Sequence, residues 1–202
     1  MCIDLIIFFW YCHIMKRLSD LVNIRSGYTF RTAIDSYDSG DTEVIQAKDL
    51  SSDFGFASRP KVDFPGDYNH LLRPGDILVS ARGFSKAILF QDTSTKAVAS
   101  SSLFVLHPKD ISVNPEFITM FFNSVMGMKA VFELSSGASV KSITKDNFGQ
   151  IVIPEIPPDK ERALGSAVQS IDNYLSLMRE KEIYLDSIRE SIITKTLKET
   201  TL

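Results

Sequence analysis

The sequence predicts a mixed α/β protein: a β-rich domain followed by one long C-terminal coiled-coil helix. Three observations carry this. Between Ser19 and Pro158, short β-rich runs alternate with Gly and Pro turns. The last of these runs, Ile151-Val152-Ile153, closes on Pro154, Pro157 and Pro158, which cannot continue a ladder. From Asp159 to about Leu197 there is no proline, Gly165 is the only glycine, and apolar residues recur at sevens. The 202 residues, 44% hydrophobic and 23% charged, suffice for one substantial core and a small appendage. With 10 Gly, 8 Pro and 2 Cys, disordered, collagen-like and disulfide-stapled chains are excluded.

Taken in order, residues 1–15 (MCIDLIIFFWYCHIM) form an apolar N-terminal extension. It lacks the cationic start and small-residue cleavage site of a secretory signal, and it is shorter than the roughly 20 residues that cross a bilayer. Three readings stand open: translation starting at Met15, a buried strand, and a membrane anchor. Cys2 and Cys12 are the only cysteines, so the body holds no disulfide framework and no cysteine zinc site. This fits a reducing compartment, and the expected location is the cytoplasm, without a membrane.

Residues 16–158 read as the β-rich domain. Turns fall at Gly27, Gly40, Gly55, Pro60, Pro65-Gly66, Pro74-Gly75 and Gly83, with strands at Glu43–Gln46, Asp76–Ser80 and Ser102–Leu106. Asn114-Pro115 supplies a cap and a first-turn proline for a helix whose Phe117, Met120, Phe121, Ser124 and Val125 share a face. A second short helix is expected over Met126–Leu134. Residues 159–202 form the helical segment. Leu164, Ile171, Met178, Leu185 and Ile192 stand seven apart, with Val168 and Leu175 as companions; Glu182 and Arg189 break the strict seam, and Ile188 and Tyr184 take over the apolar face. A helix of that length overhangs a core of this size, so a partner helix is expected.

No catalytic constellation is legible. His13, His70 and His107 stand apart from any known motif spacing, no phosphate-cradling glycine loop or metal-ligand pair is present, and Asp35/Asp38 and Asp41/Glu43 read as turn carboxylates. The polar features that remain suit nucleic acid. Ser26-Gly27-Tyr28-Thr29-Phe30-Arg31, Ala81-Arg82-Gly83-Phe84-Ser85-Lys86 and Gly137-Ala138-Ser139-Val140-Lys141-Ser142-Ile143-Thr144-Lys145 each combine cations with hydroxyls or aromatics. Cations neutralise phosphates or reach guanine edges, and hydroxyls bond phosphate oxygens. The expected contacts are Arg82, Lys86, Lys141 and Lys145, followed by Tyr28, Arg31 and Lys48. The net charge of -3 means that binding must come from a local patch.

The order of several segments resembles the DNA-specificity subunit of type I restriction-modification systems. They are Leu18-Ser19-Asp20-Leu21, Ser26–Phe30, Val44–Leu50 read as a strand, Leu72-Arg73-Pro74-Gly75-Asp76-Ile77-Leu78-Val79-Ser80, Ala99–Leu103, Pro115-Glu116-Phe117, Gly137-Ala138-Ser139, and Ile151–Pro158 leading into the helix. The resemblance implies that 16–158 is a target-recognition domain for double-stranded DNA and 159–202 a helical spacer. It implies a non-catalytic chain that directs methyltransferase and restriction/motor subunits to a split site. S-adenosylmethionine, ATP and Mg are expected on those partners, and no cofactor or metal on this chain.

A full specificity subunit carries two recognition domains, whereas this sequence has one. The expectation is a half-subunit that pairs with a second copy, or with another specificity polypeptide, through Leu164, Val168, Ile171, Leu175, Met178, Leu185, Ile188 and Ile192. The competing readings are a coiled-coil scaffold that does not bind DNA, a membrane-tethered module, and an enzyme acting alone.

Overall fold

The apolar runs become strands whose side chains divide between two cores. In the computed structural model, residues 15–31, 34, 40–50, 59–81, 86–92, 94–136 and 143–200 are described. They fall in two units, one ending at Ile156 and one running from Pro157. The first contains β1 (Met15–Arg17), α1 (Leu18–Leu21), β2 (Val22–Ser26), β3 (Thr42–Ile45), β4 (Lys61–Val62), β5 (Ile77–Ser80), β6 (Ile88–Leu89), β7 (Lys96–Ala99), β8 (Leu103–Pro108), α2 (Pro115–Asn123), α3 (Val125–Ser136), α4 (Lys145–Gly149) and β9 (Val152–Pro154). Short 3-10 turns lie at Ala47–Leu50 and Tyr68–His70. The second unit is α5 (Pro158–Thr200). The mixed α/β class and the long terminal helix are as the sequence predicts.

Strands β2-β8-β5-β6 form an antiparallel sheet, β4-β3-β7 a second sheet in which β3 and β7 are parallel, and β1-β9 a two-stranded ribbon. The first sheet is the middle layer of the unit. Because side chains alternate along a strand, Ile77 and Val79 of β5 and Phe104 and Leu106 of β8 enter one core with Phe117, Phe121, Phe122 and Phe148 of the helices. Leu78, Leu103 and Val105 point the other way, into a core shared with Ile45, Ala97 and Ala99 of the second sheet. Phe148 stacks on Phe122 at 5.4 Å and tilts against Phe104 at 4.9 Å, so α4 is pinned to both α2 and the sheet.

The predicted cap at Asn114 forms: its Oδ1 accepts from the N–H groups of Glu116 (2.9 Å) and Phe117 (3.2 Å). The strand expected over Val44–Leu50 instead ends at Ile45. Asp49 accepts from the Gln46 N–H at 2.8 Å and returns its own N–H to the Gln46 carbonyl at 3.0 Å, closing a turn that no ladder can pass through. The short helix expected at Met126 runs from Val125 to Ser136.

A buried charge network ties three strands together. Asp76 is almost fully buried. Its Oδ1 lies 2.8 Å from His107 Nδ1 of β8, and its Oδ2 accepts from the Arg73 N–H at 2.9 Å and, longer, from Arg25 Nη2 of β2 at 3.4 Å. Arg25 also donates to the carbonyls of His70 and Leu71, both at 3.0 Å. Burial pulls the Arg25 pKa below its ordinary value, and Asp76 opposes that pull. Gly75, at φ 92°, makes the turn that carries Asp76 inward, a conformation costly for other residues. His107 thus has a structural partner, and His70 lies edge-on to Tyr28 with centroids 5.3 Å apart.

In α5 the seam residues Leu164, Ile171, Leu175, Met178, Leu185, Ile188 and Ile192 are exposed and Val168 is partly so. Tyr174, Leu177, Ile183, Tyr184 and Ile193 are exposed as well. Arg189, at a broken seam position, is held by Asp186 at 3.2 Å. A strict seven-residue repeat drifts by about 20° per heptad on a straight helix, which is the offset that left-handed supercoiling removes.

Candidate nucleic-acid interface

The segments chosen from the sequence meet at one end of the first unit. Their meeting point is the turn between β7 and β8, Ser100-Ser101-Ser102-Leu103, closed by Leu103 N–H donating to the Ser100 carbonyl at 2.9 Å. Beyond β2, Gly27 N–H donates to the Leu103 carbonyl at 2.9 Å and Tyr28 N–H to the Ala99 carbonyl at 2.7 Å. Beyond β3, Ala47 N–H reaches Ser102 Oγ at 3.4 Å, while Ser100 N–H donates to the Ile45 carbonyl at 2.8 Å. Beyond β5, Ala81 N–H donates to the Ser102 carbonyl at 2.8 Å, and the Ala81 carbonyl accepts from Ile143 N–H at 3.3 Å.

Gly27 is required at this crossing, because a Cβ there would overlap the Ser100 carbonyl oxygen. Tyr28 then stands at the centre of an aromatic group, edge-on to Phe30 and Phe64 with centroids 4.9 Å away in each case.

Of the predicted contacts, Tyr28, Arg31, Lys48, Lys86 and Lys145 are placed, and Arg31, Lys48, Lys86 and Lys145 are exposed. Lys48 rides on the 3-10 turn after β3. Lys86 adjoins Ala87, whose N–H donates to Asn123 Oδ1 at 2.7 Å and whose carbonyl accepts from Asn123 Nδ2 at 2.9 Å, fastening that segment to the end of α2. Lys145 was expected within a polar loop; it opens α4 instead, because Thr144 Oγ1 accepts from the Asn147 N–H at 3.3 Å and starts the helix one residue earlier. Arg82 and Lys141 lie outside the described residues. Ala81, which precedes Arg82, and Ile143, two residues after Lys141, are the pair joined above.

Of the acids on these segments, Asp146 beside Lys145 is exposed, while Glu43 and Asp49 are engaged. Glu43 accepts from Arg59 at 3.1 Å, and Asp49 is buried in its turn. Asp41 belongs to the opposite end, where it accepts from Lys96 at 2.6 Å; Asp35 and Asp38 are outside the described residues. The residue types did not single out the serine turn as a contact, although three serines between two apolar runs are a turn signal. Among the described residues no three His, Cys, Asp or Glu side chains form a metal-binding group, and no single helix is long and apolar enough to cross a membrane.

A three-layer α/β unit that gathers polar loop segments at one end is followed in the chain by a long helix with an apolar seam. The chain belongs to the type I restriction modification DNA specificity domain family, which it matches over residues 14–185. Comparison with curated proteins finds no match.

Among solved structures it resembles a chain from work titled "Structural basis underlying complex assembly and conformational transition of the type I R-M system", with a TM-score of 0.62 and 19% identity, covering 81% of this chain and 39% of that one. The HsdS subunit from Thermoanaerobacter tengcongensis gives a TM-score of 0.57 at 18% identity, covering 80% of this chain and 38% of that one. The type I restriction-modification S subunit from M. genitalium gives 0.60 at 16%, covering 90% and 45%. The chain therefore spans less than half the length of each of these proteins. At these identities the likeness speaks to the fold.

Proposed function

We propose that this chain reads one half of a split DNA site and directs methyltransferase and restriction/motor subunits to it, with the β-rich unit as reader and α5 as spacer and pairing surface. The observation that carries the proposal is the convergence of three separate segments on the Ser100–Leu103 turn, with a fourth joined to one of them where Ile143 N–H donates to the Ala81 carbonyl. Arg31, Lys48, Lys86 and Lys145, which the sequence scatters over more than a hundred positions, are exposed and stand on these segments or follow them in the chain. Phosphate contacts set register and supply most of the affinity, while base contacts made from the same loops select sequence. With a net charge of -3, the chain has no general attraction for DNA, so the local patch and the partner subunits supply it.

In this reading the chain does no chemistry. S-adenosylmethionine, ATP and Mg sit on the partners, and Arg82, Lys141 and Tyr28 join the placed cations at the DNA. Pairing runs through Leu164, Val168, Ile171, Leu175, Met178, Leu185, Ile188 and Ile192. With a second copy, two identical readers would face DNA through two-fold symmetry, giving a palindromic, interrupted target.

Lys145→Ala tests the contact surface. The expected outcome is weaker binding to every duplex and a salt slope, log K against log salt, shallower by about one unit. Fluorescence anisotropy from about 50 to 200 mM salt measures both. Unchanged affinity at low salt would remove Lys145 from the interface.

A further inference from the structure

The Ser100–Leu103 turn does more than hold the loops. Ser100 is buried and Ser102 half-buried, and their hydroxyls bond each other at 2.7 Å. Ser102 Oγ also accepts from the Ala47 N–H, and its carbonyl from Ala81. The hydroxyls of Ser100 and Ser102 are thus spent inside the unit. Ser101, between them at the tip, is exposed. The segments beyond β2, β3 and β5 are all bonded to residues 99–103, so whatever they face together, Ser101 faces from among them.

We propose that Ser101 is a DNA-backbone contact in the midst of the reading loops, its hydroxyl donating to a phosphate oxygen. This rests on the DNA reading given above and adds a residue to it. The chemistry suits the place: a short neutral side chain lets the duplex approach the turn closely, where lysines on the surrounding segments reach phosphates from further out. Serine hydroxyls bond phosphate oxygens without sequence information, so the contact fixes register and leaves base choice to the loops. The rigidity of the turn, tied on three sides, means that little ordering is needed to make the bond.

Two variants of the full chain, assembled with its methyltransferase subunits, test this on a mixed-sequence duplex of about 30 base pairs. Hydrogen bonds to charged groups are typically worth enough that Ser101→Ala should weaken binding about tenfold. The salt slope should stay unchanged, since no cation is lost, in contrast to Lys145→Ala. Ser101→Glu, which sets a carboxylate against the phosphate, should weaken binding a hundredfold or more. Ile111→Glu adds the same charge at a fully exposed position beyond the far end of β8 and should leave affinity within about twofold. Native binding by both Ser101 variants, with wild-type chain binding the duplex, would overturn the inference and leave the DNA reading standing. A wild-type complex that does not bind duplex DNA at any salt would overturn both.

Discussion

Asp76→Ala is expected to cost about 3–5 kcal/mol of unfolding free energy, the range for removing one partner of a buried ion pair. The change strands more than one group. Arg25, mostly buried, keeps its two carbonyl acceptors but loses its counter-charge, and the Arg73 N–H loses its acceptor. The His107 side chain is 43% exposed, so water replaces much of what Asp76 gave it and its share is small. Asp76→Asn keeps the volume and some of the acceptors, and should cost less, about 1–3 kcal/mol. Domains of this size hold only about 5–15 kcal/mol in all, so the alanine variant should populate unfolded chain at mild urea concentrations. Urea unfolding followed by circular dichroism measures both. A loss below about 1 kcal/mol for Asp76→Ala would mean that the network does not brace β2, β5 and β8.

The second large effect concerns the proposed pairing. Leu175→Asp combined with Leu185→Asp should abolish it, since each seam side chain buried between helices contributes about 1.5–3 kcal/mol and occurs twice in a two-fold dimer. The introduced carboxylates add a desolvation cost. The combined loss exceeds about 4 kcal/mol, which is roughly a thousandfold in the dissociation constant. Sedimentation at micromolar concentration should find the native chain paired and the variant monomeric, with the β-sheet circular dichroism of the two alike. Equal masses for native and variant chains would remove the seam from the pairing surface.

Local patterns were legible and distant ones were not. The α5 seam is a repeat inside one element, and the Asn114-Pro115 cap is two adjacent residues, so each could be read directly. Ile77-Leu78-Val79 was readable as a strand but not as part of a middle layer. Buried on both faces, such a strand shows a continuous apolar run in place of the alternation that would have marked its orientation. The Val44–Leu50 run misled because the carboxylate of Asp49, five residues beyond Val44, bonds the backbone before the ladder can continue.

The Arg25–Asp76–His107 network left no trace, its members lying 51 and 31 positions apart. For the candidate interface, cations and hydroxyls announced themselves by type. Their convergence depends on backbone bonds such as Ala81 to Ser102 and Ile143 to Ala81, which only the assembled sheets bring about.

The most direct test of the central proposal, a single reading unit paired through its helix to direct DNA modification, is methylation-sensitive sequencing of the host genome with and without this gene. The account predicts that one modified motif disappears on deletion, and that it consists of two identical half-sites in inverted orientation around a fixed spacer. A methylation pattern unchanged by the deletion would contradict it.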